Sequence, residues 1–207
     1  WQVDLAELRA ASIEADLELR DFTVGAVAVS LEGGEALDPL GGLVDLENGV
    51  IRACGPTSFT DDPLRLMRAA RLVSQFGWEI DEQTVLLGRQ ASPRAGEPAG
   101  ERTLAELLLL IGARDPLAGL EAMDRIGLFD WLLPEIGDLH GVVQGPNHHL
   151  DVYGHTIEVV EGILRIESDL ERFTGDRAPE VSEYLSRPLA DGATRGAALR
   201  LGSLFHD

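Results

Sequence analysis

The chain has 207 residues, an apolar content of 44% and a formal net charge of −19, with 17 basic and 36 acidic residues. That length suffices for one domain or two small ones with a substantial core. No apolar run approaches membrane-spanning length and residues 1–20 lack a signal-peptide pattern, so we expect no membrane partner. All 17 basic residues are arginine. Because the acidic excess slows encounter with RNA, any RNA contact must rest on a local arginine face.

Cys54 is the only cysteine of the chain. A single cysteine excludes an internal disulfide framework and indicates a reducing, cytoplasmic compartment. Such a residue is by default a small buried hydrophobe.

Residues 1–52 are predicted to be rich in β-strands. The stretch 22–30 favours a strand, residues 32–35 favour a turn, and Asn48-Gly49 marks a second tight turn. Asp4 lies on a plausible strand, where it is either an auxiliary carboxylate or a solvated strand-edge residue.

Helical patterns dominate from Asp62 onward. Asp62-Pro63 predicts an N-cap followed by proline at the first helical position. One apolar stripe of this helix is predicted to contain Leu66, Ala69, Ala70, Val73 and Phe76.

Two carboxylates and three guanidiniums accompany that stripe. Arg65, Arg68 and Arg71 fall on the other side of the helix, and Asp61 and Asp62 lie within predicted ion-pair reach of Arg65. Guanidinium groups grip phosphates and base edges, while carboxylates accept hydrogen bonds from exocyclic amines, so the run suits a nucleotide. The alternative is a solvated helix with ordinary salt bridges.

Further helices follow a connector at residues 91–100. One helix is predicted from Glu101 through Ile111, and Asp115-Pro116 opens the next. The apolar positions of that next helix include Leu117, Leu120, Met123 and Ile126. Residues 167–196 are polar and are predicted to be an insertion or loop between helices.

We call residues 58–71, with their two aspartates and three arginines, the acid–arginine run. Four other segments accompany this run in a fixed order, namely residues 16–26, 38–52, 101–107 and 148–156. In that order and at those intervals, the chain resembles the class II tRNA nucleotidyltransferase and bacterial poly(A) polymerase family, which includes the CCA-adding enzymes. The resemblance extends from about Val3 to Asp207 and implies an α+β fold. It implies three parts: the end of a nucleotidyltransferase head with a β-sheet (1–56), a helical neck and body (57–140), and the beginning of an HD domain (141–207).

The activity that the resemblance implies is template-independent addition of CMP and AMP to tRNA or other RNA 3′ ends, with CTP and ATP as substrates. In the family, an Asp-x-Asp pair after Gly-Ser holds Mg²⁺ for the in-line displacement. That pair is not in this sequence. We therefore expect a fragment that is inactive alone, and we assign no catalytic residue.

Arg20 and Asp21 match the first two positions of the family's Arg-Asp-x-x-x-Asn motif, which contacts the sugar and triphosphate. Two departures weaken the match. Leu19 stands where a second arginine is usual, and Gly25 stands where asparagine is usual. The alternative is that Arg20 and Asp21 form a structural pair.

The neck motif of the family, carboxylate-Asp-x-x-Arg, pairs with the incoming base. Asp61, Asp62 and Arg65 match it, with Asp61 where glutamate is usual. Arg68 and Arg71 would then face the triphosphate or the tRNA acceptor end. Glu101-Arg102 matches a neck pair that is expected to support helix packing.

His206-Asp207 resembles the defining pair of HD metal-dependent phosphohydrolases, and His155 matches the upstream ligand. Imidazole and carboxylate ligands suit a divalent transition metal. His148 and His149 are near enough in sequence to add ligands.

Two other functions stay open at this point. The chain is alternatively an HD-type phosphohydrolase or phosphodiesterase acting on nucleotides or RNA ends, which Leu19 and Gly25 favour. It is otherwise a non-catalytic RNA-associated module, which the net charge of −19 favours.

Overall fold

The computed structural model describes residues 6–143, 150–189 and 192–206, and over these ranges the chain is mostly helical. Two short strands, β1 (Val50–Ile51) and β2 (Glu79–Ile80), pair in parallel. This architecture confirms the α+β class. Among the described residues, no helix is long and apolar enough to cross a bilayer. The α-helices are α1 (Ile13–Glu18), α2 (Gly42–Asn48), α3 (Ser58–Asp61), α4 (Leu64–Phe76), α5 (Glu82–Ala91), α6 (Gly100–Ile111), α7 (Pro116–Ile126), α8 (Phe129–Leu132), α9 (Pro134–Gly137), α10 (Val152–Ser168), α11 (Leu170–Thr174), α12 (Ala178–Ser186) and α13 (Arg195–Leu204).

The prediction of a strand-rich segment 1–52 is wrong for its described part. Helices α1 and α2 and a 3₁₀ turn at Thr23–Gly25 occupy much of it, and strand pairing outside β1 is limited to isolated bridges. The N–H of Gly25 donates to the carbonyl of Phe22 at 2.9 Å, so β-favouring residues satisfy their backbone within a turn. Tertiary context has overridden local propensity here.

Helix α4 begins at Leu64, two residues after Asp62, whose Oδ1 accepts the Leu64 N–H at 3.2 Å. It ends at Phe76, and Gly77, with a left-handed φ of 68°, caps its C-terminus. The predicted apolar stripe is buried except at Phe76, which is 52% exposed. Phe76 is the last residue of the helix and stacks on Trp78, with ring centroids 4.6 Å apart. Phe76 therefore lies at the end of the predicted stripe but outside the core, where the chain turns at Gly77.

Helices α6 and α7 pack on α4 and complete the central core. A Cβ built on Gly119 of α7 would lie 2.7 Å from the Cβ of Ser74 and 2.8 Å from the Cγ of Leu110. The hydroxyl of Ser74 also donates to the Leu110 carbonyl at 2.7 Å. This close approach holds α4, and with it Arg65, Arg68 and Arg71, in a fixed orientation.

The sequence located both of these helices correctly. Helix α6 ends at Ile111, and Asp115 caps α7 by accepting the Ala118 N–H at 3.1 Å. Leu120, Met123 and Ile126 are buried as expected.

The prediction of a loop over residues 167–196 is wrong, because α11 and α12 lie within it. Asp169 caps α11 by accepting the Arg172 N–H at 3.3 Å. The polar composition of this stretch reflects exposed helices, and α11 has no buried residue. Arg200 of α13 connects this part to α6 by donating to the carbonyls of Ile111 at 3.0 Å and Ala113 at 3.2 Å.

Candidate functional site

An open cavity of about 380 Å³ lies between the N-terminal segment and the start of α4. Five arginines and four acids line it, so its wall carries a formal charge of +1 in a chain of net charge −19. The lining residues are Ala6, Glu7, Arg9, Asp16, Arg20, Asp21, Asp62, Arg65, Arg68 and Arg102. This volume falls in the range of small-molecule sites.

A larger cavity, of about 470 Å³, lies between Trp78 and α7. Its lining includes Glu79, Glu82, Asp115 and Glu121 against a single arginine, Arg125. Such a wall repels phosphate. The smaller cavity is therefore the better candidate for an anionic ligand.

Asp16 anchors one wall of the cavity. Its residue is 1% exposed, and its Oδ1 accepts the main-chain N–H of Arg9 at 2.8 Å. Its Oδ2 lies 3.0 Å from Nη2 of Arg20. The Arg9 N–H, more than the guanidinium of Arg20, lowers the pKa of Asp16. Sequence reasoning missed Asp16, although its spacing of four residues from Arg20 is the signal of a helical ion pair.

Asp21 also lines the cavity and pairs with Arg68 of α4. Its Oδ2 is 2.7 Å from Nη2 of Arg68, while its Oδ1 accepts the N–H of Phe22 at 2.9 Å. Arg20 and Asp21 thus bind different partners, and the geometry does not support their reading as a structural pair with each other.

Arg65 is buried and joins α4 to the N-terminal part. Its Nη2 donates to the carbonyl of Leu19 at 2.7 Å, and its Nη1 donates to the carbonyls of Arg20 at 3.2 Å and Ser58 at 3.1 Å. The prediction that Asp61 and Asp62 pair with Arg65 is wrong, because the guanidinium donates its hydrogen bonds to these carbonyls instead. Arg65 still lines the cavity.

Asp62 stands at the start of α4 with both carboxylate oxygens engaged. Oδ1 accepts the Leu64 N–H, and Oδ2 lies 3.4 Å from Nη2 of Arg102. Arg102 was expected to support helix packing, yet its side chain is 57% exposed and lines the cavity. No feature of the local sequence places Arg102 beside Asp62, because the two residues are 40 positions apart.

Asp61 and Arg71 lie outside this cavity. Asp61 is exposed and accepts a hydrogen bond from the Thr57 hydroxyl at 2.8 Å. Arg71 pairs with Glu106 of α6 and with Gln75. The structure therefore brings together five of the seven residues predicted to bind a nucleotide.

The histidines predicted for the HD site approach each other. Nε2 of His155 on α10 lies 3.4 Å from Nε2 of His206, which follows α13. Nδ1 of His206 lies 2.8 Å from the Ser203 carbonyl, a contact that favours a proton on Nδ1. Asp207, like Asp4, His148 and His149, lies outside the described residues.

No group of three or more His, Cys, Asp or Glu suited to a metal ion occurs among residues 6–143, 150–189 and 192–206. The described residues therefore do not offer a complete ligand set for Mg²⁺ or for a transition metal.

Two family models match the chain. The poly A polymerase head domain matches residues 2–52, and the probable RNA and SrmB-binding site of polymerase A matches residues 77–139. These matches give the class, that of poly(A)-polymerase-type proteins.

Curated relatives are more specific. An A-adding tRNA nucleotidyltransferase of Deinococcus radiodurans is 37% identical over 182 residues, covering 83% of this chain and 42% of the relative. A CC-adding tRNA nucleotidyltransferase of Geobacter sulfurreducens is 34% identical over 203 residues, covering 98% of this chain and 44% of the relative. The chain thus spans less than half the length of these relatives.

Solved structures agree. A tRNA nucleotidyltransferase in complex with a primer tRNA and an incoming ATP analog is 26% identical with a TM-score of 0.68, covering 94% of this chain and 50% of that one. A CCA-adding enzyme in complex with ATP is 30% identical with a TM-score of 0.61, covering 79% and 37%. The chain belongs to the tRNA nucleotidyltransferase and poly(A) polymerase family.

Proposed function

We propose that the arginine-lined cavity holds an incoming CTP or ATP, and that the whole protein adds CMP or AMP to the 3′ end of tRNA. One observation carries this proposal. Five arginines converge on one cavity of charge +1 in a chain that is otherwise strongly acidic. Relatives named as A-adding and CC-adding tRNA nucleotidyltransferases support the choice of substrates.

In this proposal, Asp62 and Arg65 select the base of the nucleotide. Both line the cavity, and main-chain groups hold both: the Leu64 N–H holds Asp62, and the carbonyls of Leu19, Arg20 and Ser58 hold Arg65. A carboxylate accepts from the exocyclic amine shared by cytosine and adenine, and a guanidinium donates to the adjacent ring nitrogen. Guanine and uracil present the opposite pattern at that edge. Because both side chains are fixed before binding, little ordering is needed when the base arrives.

In this proposal, Arg20 and Arg68 bind the polyphosphate of the nucleotide. Asp16 anchors the guanidinium of Arg20, and Asp21 and Glu106 anchor that of Arg68. The two arginine side chains are still 47% and 39% exposed, so part of each remains at the surface. Arginine binds phosphate oxygens in pairs of parallel hydrogen bonds, which suits this arrangement. For Asp61 and Arg71, a nucleotide-binding role stays a prediction that their position outside the cavity does not favour.

Several parts of the proposal concern the whole protein. Mg²⁺, when bound, would neutralise developing charge on the phosphates, and we propose that residues other than the described ones hold it. We also propose that the chain divides into domains after residues 56 and 140. For the whole protein we propose a tRNA partner and a cytoplasmic location.

The proposal is tested by calorimetric titration of the 207-residue chain with CTP, ATP, GTP and UTP. We expect measurable binding of CTP and ATP and at least fivefold weaker binding of GTP and UTP. This factor corresponds to about 1 kcal/mol, the loss expected for one mismatched hydrogen bond. Absence of nucleotide binding, or equal binding of all four, would overturn the proposal.

A second candidate function rests on the two histidines. Two imidazole nitrogens bound to one metal at about 2.0–2.1 Å lie roughly 3.0–3.4 Å apart, which matches the 3.4 Å between His155 and His206. We propose that these residues, with Asp207, hold a divalent transition metal for phosphohydrolase chemistry. Mn²⁺ or Ni²⁺ binding should be lost in His206→Ala and kept in His140→Ala, since His140 pairs instead with Asp124. Equal binding by both variants would refute this site.

A further inference from the structure

We propose that Arg9 is a further nucleotide-binding residue, held beside Arg20 by the shared carboxylate of Asp16 so that the two guanidiniums grip the polyphosphate together. The inference rests on the proposed function of the cavity. It adds one residue and one positioning carboxylate to that site.

The geometry places both arginines on the same acid. Nε of Arg9 lies 3.5 Å from Oδ1 of Asp16, and Nη2 of Arg20 lies 3.0 Å from Oδ2. The Asp16 side chain is 2% exposed, whereas the side chains of Arg9 and Arg20 are 51% and 47% exposed. A buried carboxylate therefore fixes two guanidiniums that reach the surface, and both line the cavity.

The local charge favours a phosphate ligand. Two guanidiniums share one carboxylate at this wall, so one positive charge is left uncompensated by their common partner. Charge-assisted hydrogen bonds to phosphate oxygens would satisfy it. Glu7 also lines the cavity, but the five lining arginines outnumber it and the other three lining acids by one.

Leu19, the residue before Arg20, contributes only its backbone to this site, because its carbonyl accepts a hydrogen bond from Arg65. Leu19 is 41% exposed and does not line the cavity. Arg9 thus supplies a second guanidinium next to Arg20 from a different segment of the chain.

A purely structural role for the Arg9 side chain is separable by experiment. The main-chain N–H of Arg9 already ties its segment to Asp16 at 2.8 Å, and this bond survives substitution. Arg9→Ala therefore removes the guanidinium while leaving the anchor of the backbone in place.

The test measures ATP and inorganic triphosphate binding to the 207-residue chain by calorimetry. We expect Arg9→Ala to weaken both about tenfold, as for loss of a charge-assisted hydrogen bond, and Arg9→Lys to restore part of the affinity. The preference for ATP over GTP should not change. Arg177→Ala, which removes an exposed arginine paired with Glu180, is the matched control and should bind like wild type.

The role of Asp16 is read from a double-mutant cycle. If Asp16 acts through the two arginines, the effects of Asp16→Asn and Arg9→Ala on triphosphate binding are less than additive. Additive effects would contradict the shared anchor. ATP binding by Arg9→Ala within twofold of wild type would overturn the inference and leave the proposed function standing. Failure of wild type to bind ATP would overturn both.

Discussion

The guanidinium of Arg65 donates to the main-chain carbonyl of Leu19 at 2.7 Å, across 46 positions of sequence. The same side chain reaches the carbonyls of Arg20 and Ser58. A residue predicted to read a base is thus also the residue that joins α4 to the N-terminal part of the chain. Its two roles are compatible because the carbonyls hold the guanidinium at the cavity wall.

Arg65→Ala should lower the free energy of unfolding by about 3 kcal/mol, because it removes a buried side chain that donates to three carbonyls, that of buried Ser58 among them. Arg65→Lys should recover less than half of this loss, since one ammonium cannot span three carbonyls. Urea unfolding measures both effects. Arg89→Ala is the control, because Arg89 is exposed and donates to a single carbonyl, that of Arg125. A loss below about 1 kcal/mol for Arg65→Ala would contradict this role.

Gly119 should be intolerant of a side chain. Its Cβ would lie within 3 Å of Ser74 and Leu110, so Gly119→Ala should cost about 1–3 kcal/mol through overpacking between α4 and α7. Gly202 of α13 has no atom within 4 Å of its built Cβ, and Gly202→Ala should stabilise by about 0.5–1 kcal/mol. Thermal unfolding of the two variants checks the difference in sign. Stabilisation by both substitutions would show that the helices are not packed as closely as described.

The lowered pKa of Asp16 predicts a dependence of stability on pH. Its main cause is the Arg9 N–H, which favours the ionised carboxylate in the folded state. The stabilisation is therefore fully present above the ordinary value of 3.8 and is lost as the pH falls through the lower folded-state pKa. Urea unfolding of wild type and Asp16→Asn should give a stability difference that is largest above pH 5 and shrinks toward pH 3. A difference that grows on acidification would contradict the assigned direction.

Cys54 should react slowly with thiol reagents. Burial, followed by the charge of Asp21, raises the pKa of its thiol to about 12. Only the thiolate is nucleophilic, so reaction with a disulfide reagent at pH 8 should be at least about a hundredfold slower than for an unperturbed thiol. The same reaction in urea supplies the reference rate. A folded chain that reacts as fast as the unfolded one would contradict the burial of this thiol.

The sequence predicted elements whose signals are local. Asp115 is the N-cap of α7 and Pro116 its first residue, so the sequence predicted the start of this helix correctly. The strand prediction over residues 22–30 was wrong because β-propensity has meaning only beside a partner strand, and this segment closes into a turn instead. The polar stretch 167–196 was mistaken for a loop because exposed helices bury too little to show an apolar stripe.

The candidate site was predictable only in part for the same reason. Arg65 and Arg68 stood out as members of one helical run, whereas no local pattern indicated that Arg9 and Arg102, from distant segments, would lie beside them. The sequence also did not predict the hydrogen-bond partners of the Arg65 guanidinium. Spacing predicted a pairing with neighbouring acids, and the carbonyls that it binds became neighbours only on folding.

In the proposed site, Asp62 accepts a hydrogen bond from the amine of cytosine or adenine, and adjacent Asp61, which does not line the cavity, provides the matched control. Asp62→Asn keeps an oxygen for the Leu64 N–H but loses the charged acceptor. It should weaken CTP and ATP binding about tenfold and narrow the preference over UTP, whereas Asp61→Asn should bind within twofold of wild type. Calorimetric titration of the two variants with CTP and UTP is the most direct measurement. A larger effect for Asp61→Asn than for Asp62→Asn, or no effect of either, would contradict the account.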